Sequence, residues 1–154
     1  TVQQSQYGEF IVMKNIVVIA TILGALVFTQ AYAYVSEGYK FITPEELNSR
    51  IKAGDSSFIV LDVCPPEQFS KGHIPGAIET NASPVKTTEE TARLEIAIPK
   101  LVGDKDIVVV CPGGSGGAKR TIDYYTSKGI DAKRLMVLEK GMNKWPYETS
   151  QVVR

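Results

Sequence analysis

The hydrophobic pattern divides this chain in two. Ile16 to Phe28 is an apolar run with no charged residue. From Tyr34 onward, short apolar runs alternate with amphipathic stretches. Thr43-Pro44-Glu45-Glu46 predicts a helix start. Thr43 caps it, Pro44 suits the first helical position, and Glu46 completes a capping box. Leu47 and Ile51 then share one face, and Gly54 ends the helix. Phe58-Ile59-Val60-Leu61-Asp62-Val63 is nearly all apolar, the pattern of a strand buried on both faces. Pro65-Pro66-Glu67 opens a short helix that stops near Gly72.

The second half continues in the same way. Ala77-Ile78 predicts a short strand, and Thr87 to Ile98 has helical spacing. Ile107-Val108-Val109-Val110 is the clearest buried strand. A glycine-rich loop follows it. Ala118 to Lys128 then reads as a helix stopped by Gly129. Leu135 to Leu138 is the last strand, and Gly141 to Trp145 a short closing helix. Strand-helix alternation of this kind predicts an α/β fold of three layers: a central, mostly parallel sheet flanked by helices. Ligands of such sheets sit at the carboxyl ends of the strands.

The amino-terminal run changes the picture of where the domain begins. Met13-Lys14-Asn15 forms a basic start, Ile16 to Phe28 an apolar centre, and Ala31-Tyr32-Ala33 a small-x-small cleavage site. Residues 13–33 therefore read as a signal peptide, with a mature domain over residues 34–154. Residues 1–12 precede the starting Met and stand outside the fold argument. A membrane anchor is the rival reading. A spanning helix needs roughly 20 apolar residues, and this run is shorter, ending at Thr29-Gln30. With the signal removed, no membrane contact is expected.

Composition narrows the chemistry. Across 154 residues, 17 Lys and Arg balance 17 Asp and Glu, which gives no global electrostatic reason to bind nucleic acid. Two cysteines exclude a disulfide-dense scaffold and a four-cysteine zinc site, and one histidine excludes a multi-histidine metal centre. What remains is Cys111-Pro112-Gly113-Gly114-Ser115-Gly116-Gly117, between the strongest strand and a helix. Glycines let the backbone turn tightly, so that successive N–H groups converge on one point. The helix amino terminus adds partial positive charge there. A cysteine at the rim of that loop is favoured as a nucleophilic thiolate, and an anion on its sulfur would be stabilised. The plainer alternative is a buried strand-end cysteine before a phosphate-type turn. No Gly-Lys-Ser/Thr closes a phosphate loop here.

Three ordered motifs resemble the single-domain rhodanese family over roughly Phe41 to Tyr147. They are Leu61-Asp62-Val63 with Pro66-Glu67-Gln68-Phe69 and Gly72-His73-Ile74-Pro75-Gly76-Ala77, then Val108-Val109-Val110-Cys111, then Leu138-Glu139-Lys140-Gly141 to Trp145. The resemblance implies a rhodanese-like domain in which Cys111 carries sulfur as a persulfide, with the backbone of Gly113 to Gly117 holding its charge. The donor would be thiosulfate, polysulfide or a persulfide, and the acceptor a thiol or cyanide. No cofactor or metal is implied. Export together with the resemblance implies a periplasmic or secreted protein. The alternative is a non-turnover sulfur carrier or redox-sensing module that meets a redox partner protein.

The chain also departs from the family. Many of these loops carry Arg or Lys where this one has Pro112 and Gly116, so the loop holds no cation. Lys119 and Arg120, just inside the helix, are candidate substitutes, and a solvated helix face is the plainer reading for both. Rhodanese-like phosphatases need an arginine at the position of Gly117, which argues against that chemistry. Cys64 stands where the family often has arginine. It is either a resolving thiol for Cys111 or a small packed residue. Asp62 is expected to organise the loop through hydrogen bonds, and His73 to fix a turn.

Overall fold

The computed structural model describes residues 38–152. The predicted signal segment 13–33 and the upstream residues 1–12 lie outside the described residues, as do residues 34–37 at the predicted start of the mature domain. Five strands form one sheet: β1 (Lys40–Ile42), β2 (Phe58–Asp62), β3 (Ile78–Glu79), β4 (Asp106–Val110) and β5 (Leu135–Leu138). Their order is β1-β5-β4-β2-β3, and every pairing is parallel. Four helices connect them: α1 (Pro44–Lys52), α2 (Pro66–Lys71), α3 (Thr88–Arg93) and α4 (Gly116–Ser127). Among the described residues no helix is long and apolar enough to cross a membrane.

The apolar strands bury both faces, as a parallel sheet between helices requires. Leu61, Val63, Ile107, Val109 and Val137 pack on one side with Leu94, Ala97, Ile122 and Tyr125. Val60, Val108, Val110 and Leu138 pack on the other with Ile42, Leu47 and Ile74. The completely buried Tyr125 keeps its hydroxyl satisfied by donating to the Leu94 carbonyl at 2.8 Å.

Thr43 caps α1 as expected, and Pro44 takes the first helical position. The Thr43 hydroxyl accepts from the Glu46 N–H at 3.1 Å. Two elements differ from the expectation. The helical stretch predicted from Thr87 to Ile98 is a single α-turn region, α3, followed by a 3-10 segment over Leu94–Lys100. Thr87 and Glu90 form a full capping box at its start. Pro99, which has no N–H to continue an α-helix, lies near its end, and the buried pair Leu94 and Ala97 are spaced three apart, the 3-10 repeat. The other difference is β1, a three-residue edge strand pairing Phe41 with Val137. Only Ile42 of its residues is buried, so it carries no alternating pattern to read.

Candidate active site

The site is built at the carboxyl end of β4, the central strand. Cys111 is the first residue beyond it, and α4 begins five residues later at Gly116. The first intrahelical bond runs from the Lys119 N–H to the Ser115 carbonyl at 3.0 Å. That leaves the N–H groups of Gly116, Gly117 and Ala118 as the open amino terminus of the helix. Gly117 presents its bare Cα to the thiol: a Cβ there would sit 3.8 Å from Cys111 Sγ. The thiol and the open helix end therefore share one small space, and Cys111 is 2% exposed.

The far side of the loop is locked from behind. Met142 N–H donates to the Cys111 carbonyl and Asn143 N–H to the Pro112 carbonyl, both at 2.9 Å. The two carbonyls, which would repel an anion, are thus occupied away from it. Gly114 has φ +63, and a Cβ on it would lie 2.5 Å from the Leu138 carbonyl and from the Lys140 and Gly141 nitrogens. Gly141 has φ +59 and abuts Gly114 in return. Sequence reading placed Gly141 only as the start of a closing helix. Its role as the wall behind the loop depends on a contact between segments far apart in sequence. Gln68 Nε2 adds a bond to Asn143 Oδ1 at 2.9 Å, tying α2 to the same wall.

The expected supporting residues separate. Cys64 is completely buried and faces the opposite layer of the sheet from Cys111. The register explains this. Asp62 pairs with Val110, and Val63 N–H donates to the Val110 carbonyl at 2.9 Å. Val63 is thus the residue beside Cys111, and the two-residue alternation turns Cys64 to the other face. Of the two readings of Cys64, the geometry favours the packed residue: both cysteines are free and they belong to opposite layers of the core. Burial, then the Asp62 carboxylate, push the Cys64 thiol far up from its ordinary value, so it stays protonated and inert.

Asp62 is also corrected. Its Oδ1 accepts the Cys64 N–H at 2.7 Å, and its carbonyl accepts the Thr80 N–H at 3.0 Å. These bonds shape the exit of β2 rather than the 111–117 loop. Its Oδ2 is buried with no hydrogen-bond partner among the described residues. Burial raises the Asp62 carboxyl above the ordinary carboxylate value, partly offset by Cys64 and His73. The folded protein then holds this proton to higher pH than the unfolded chain. Stability from the group is present at low pH and falls as pH rises from about 4 through the raised native value. Asp62→Asn keeps an acceptor for Cys64 and removes the charge. Its stability relative to the parent is expected to climb as pH rises from about 4 to about 8. Urea melts at the two pH values measure this, and an unchanged difference would show that burial leaves the carboxyl unshifted.

His73 fixes a turn. Its ring stacks on Phe69 at 3.9 Å, Nδ1 lies 3.0 Å from the Phe69 carbonyl, and its backbone pairs with Ser150. Lys119 leaves the loop, with Nζ 5.2 Å from the Tyr39 ring centroid. Arg120 does the reverse. Its guanidinium folds back over the first turn of α4 and donates to the Pro84 carbonyl through Nε at 3.1 Å and Nη2 at 2.7 Å. Its Nη1 lies 3.0 Å from where a Gly116 Cβ would be. Both side chains stay partly exposed on the helix face while making these contacts. Among the described residues no group of three or more His, Cys, Asp and Glu side chains gathers as a metal site.

Comparison with known proteins agrees with this architecture. The chain is 35% identical over 105 residues to the HTH-type transcriptional regulator Rv0324 of Mycobacterium tuberculosis, covering 68% of this chain and 40% of that protein. It is 25% identical over 105 residues to the adenylyltransferase and sulfurtransferase UBA4 of Lodderomyces elongisporus, covering 68% of this chain and 22% of that one. The chain spans less than half the length of these curated relatives. The solved rhodanese-like domain of Alr3790 from Anabaena superposes with a TM-score of 0.59 at 23% identity, over 73% of this chain and 79% of that one. The model of the rhodanese-like domain matches residues 43–148, from the cap of α1 past the wall behind the Cys111 loop, and the chain belongs to that family.

Proposed function

We propose that this domain is a sulfurtransferase that carries a sulfane sulfur on Cys111. The observation that carries the reading is the placement of the Cys111 thiol against the bare first turn of α4, with Gly117 facing the sulfur. A sulfur anion on Cys111 would meet unpaired N–H groups and the positive end of a helix, while the nearby carbonyls are already bonded elsewhere. In the first half-reaction the thiolate attacks the outer sulfur of the donor. A new S–S bond forms, the donor's S–S bond breaks, and the leaving group departs with the electron pair. In the second, a thiol or cyanide takes that sulfur and the Cys111 thiolate is restored. Two half-reactions through one covalent intermediate give ping-pong kinetics. The sulfurtransferase in the name of the Lodderomyces relative supports the reading. The apolar run Ile16–Phe28 with its cleavage site supports an exported form.

Intact-mass spectrometry of the reduced protein after exposure to thiosulfate or to polysulfide tests the proposal. One added sulfur, mapped to Cys111 and removed by cyanide with repeated turnover, is the expected result. Loading without turnover would instead make the domain a sulfur carrier. No adduct from either donor, with Cys111 reduced, would end the sulfur-transfer reading.

A further inference from the structure

The sheet has an open edge at the end opposite Cys111. The Asp106 N–H donates to the Ser57 carbonyl and the Val63 N–H to the Val110 carbonyl, so the odd-numbered residues of β2 face β4. The even-numbered residues face β3, as the bond from the Thr80 N–H to the Asp62 carbonyl shows. β3 pairs only with Leu61 and Asp62. The chain enters it from a turn that the Ala77 N–H closes onto the Ile74 carbonyl, with Gly76 at φ +78, so β3 stops short of the first half of β2. The N–H and C=O of Phe58 therefore point past the start of β3, with no backbone partner among the described residues. A groove of about 420 Å³ runs along that edge, a volume typical of ligand sites. Ile51, Phe58, Ile59, Gly76 and Lys100 line it. It straddles the sheet, because Phe58 and Ile51 pack with one layer of the core and Ile59 with the other.

We infer that this groove docks an extended segment of a partner protein as an added strand beside β2, with an acidic residue between two apolar ones. Unpaired main-chain groups at a sheet edge are a template for an extended backbone. Side chains of an added strand alternate between the two faces of the sheet. A residue opposite Phe58, and the next but one, would fall on the side of Phe58 and Ile51, which sets two apolar positions. The residue between them would fall on the Ile59 side, where Lys100 ends the 3-10 segment that packs on that layer. Lys100 is exposed, and the ion pairs of the described residues do not include it. Asp55, the carboxylate that lines the groove, is already held by Arg50 at 2.7 Å. The unmatched charge of the groove is thus positive, and a glutamate in the middle of the segment complements it. The groove lies at the amino ends of the strands and the Cys111 loop at their carboxyl ends, so the inference does not depend on the sulfurtransferase reading.

The test titrates the isotope-labelled protein with the capped peptide acetyl-Thr-Val-Glu-Val-Thr-amide and follows backbone amide shifts. Saturable shifts centred on Phe58 to Val60, with a dissociation constant under about 1 mM, are the expected result. Two further probes carry N-methyl groups, one on the glutamate and one on both valines. Only alternate N–H groups of an added strand face β2, so one methylated probe is expected to lose binding about tenfold or more and the other to keep it. Lys100→Glu is expected to weaken the parent probe about threefold or more and to strengthen the probe with lysine in place of its glutamate. Lys100 is an exposed side chain far from the Cys111 loop, so this variant should load sulfur at the parent rate. Absence of binding at millimolar peptide overturns the inference. Equal effects of the two methylations overturn strand addition, and a Lys100→Glu variant that binds both charge forms as the parent does overturns the acidic partner. Self-association of the parent that shifts the same amides would put a second copy in the groove and overturn the partner segment as well.

Discussion

Replacing Cys111 by serine is expected to lower sulfur transfer by roughly a thousandfold or more, with the domain still folded. Serine fits the site, because the thiol occupies a small space at a strand end and forms no disulfide. What it removes is the thiol that faces the glycine loop, the atom at which S–S bonds would be exchanged. A hydroxyl does not ionise in this range and forms no persulfide, so neither half-reaction has a starting point. The helix end and the glycine loop stay in place but have no sulfur anion to stabilise. Cys64→Ala is the companion measurement. Cys64 faces the other layer and remains protonated, so its loss should change the rate less than about threefold and cost stability instead, about 1–2 kcal/mol for a buried small side chain. Steady-state rates with one donor, beside a thermal melt, separate the two effects. Equal losses for the two variants would mean that the cysteines act together across the sheet, against the geometry described.

The strands β2, β4 and β5 were readable because burial on both faces leaves polar residues only at their ends, Asp62 in β2 and Asp106 in β4. The position of Cys111 followed from β4 alone, since the carboxyl end of a central parallel strand and a following glycine loop are both visible in one segment. Cys64 was not readable in the same way. Its distance from Cys111 depends on the register between β2 and β4, and a shift of one residue decides whether the two thiols meet. Arg120 depended on Pro84, which comes from a turn on another side of the chain, and on the missing side chain at Gly116. Asp62 carried a family-like position, but its partners are set by the path of the chain after β2 and not by its own identity. β1 was missed for another reason: three residues with one buried side chain hold too little pattern, and the strand exists because β5 offers it an edge.

Gly141→Ala is expected to cost about 3 kcal/mol or more, lowering the melting temperature by about 10 °C or more, and to slow Cys111 loading with it. Gly141 has φ 59 and ψ −166, a region that is open in practice only to glycine. The added methyl would also overlap the Cys111 carbonyl oxygen and the Gly114 nitrogen, and would lie 2.7 Å from the Pro112 carbonyl oxygen. All three are backbone atoms, and the two carbonyls are held by the bonds from Met142 and Asn143, so no rotamer change relieves the overlap. Gly129→Ala isolates the conformational part of the cost. Gly129 has φ +88, but nothing lies within 4 Å of its would-be Cβ. It should therefore cost only about 1–2 kcal/mol and leave loading near the parent rate. If Gly141→Ala melts with Gly129→Ala and loads sulfur normally, the wall behind the loop yields easily and does not set the loop's shape. The expected divergence would instead show why the last strand's exit matters to chemistry at β4. The carbonyls of Cys111 and Pro112 are turned away from the sulfur because the chain at Gly141 passes close enough to bond them, and only a residue without a side chain can pass there.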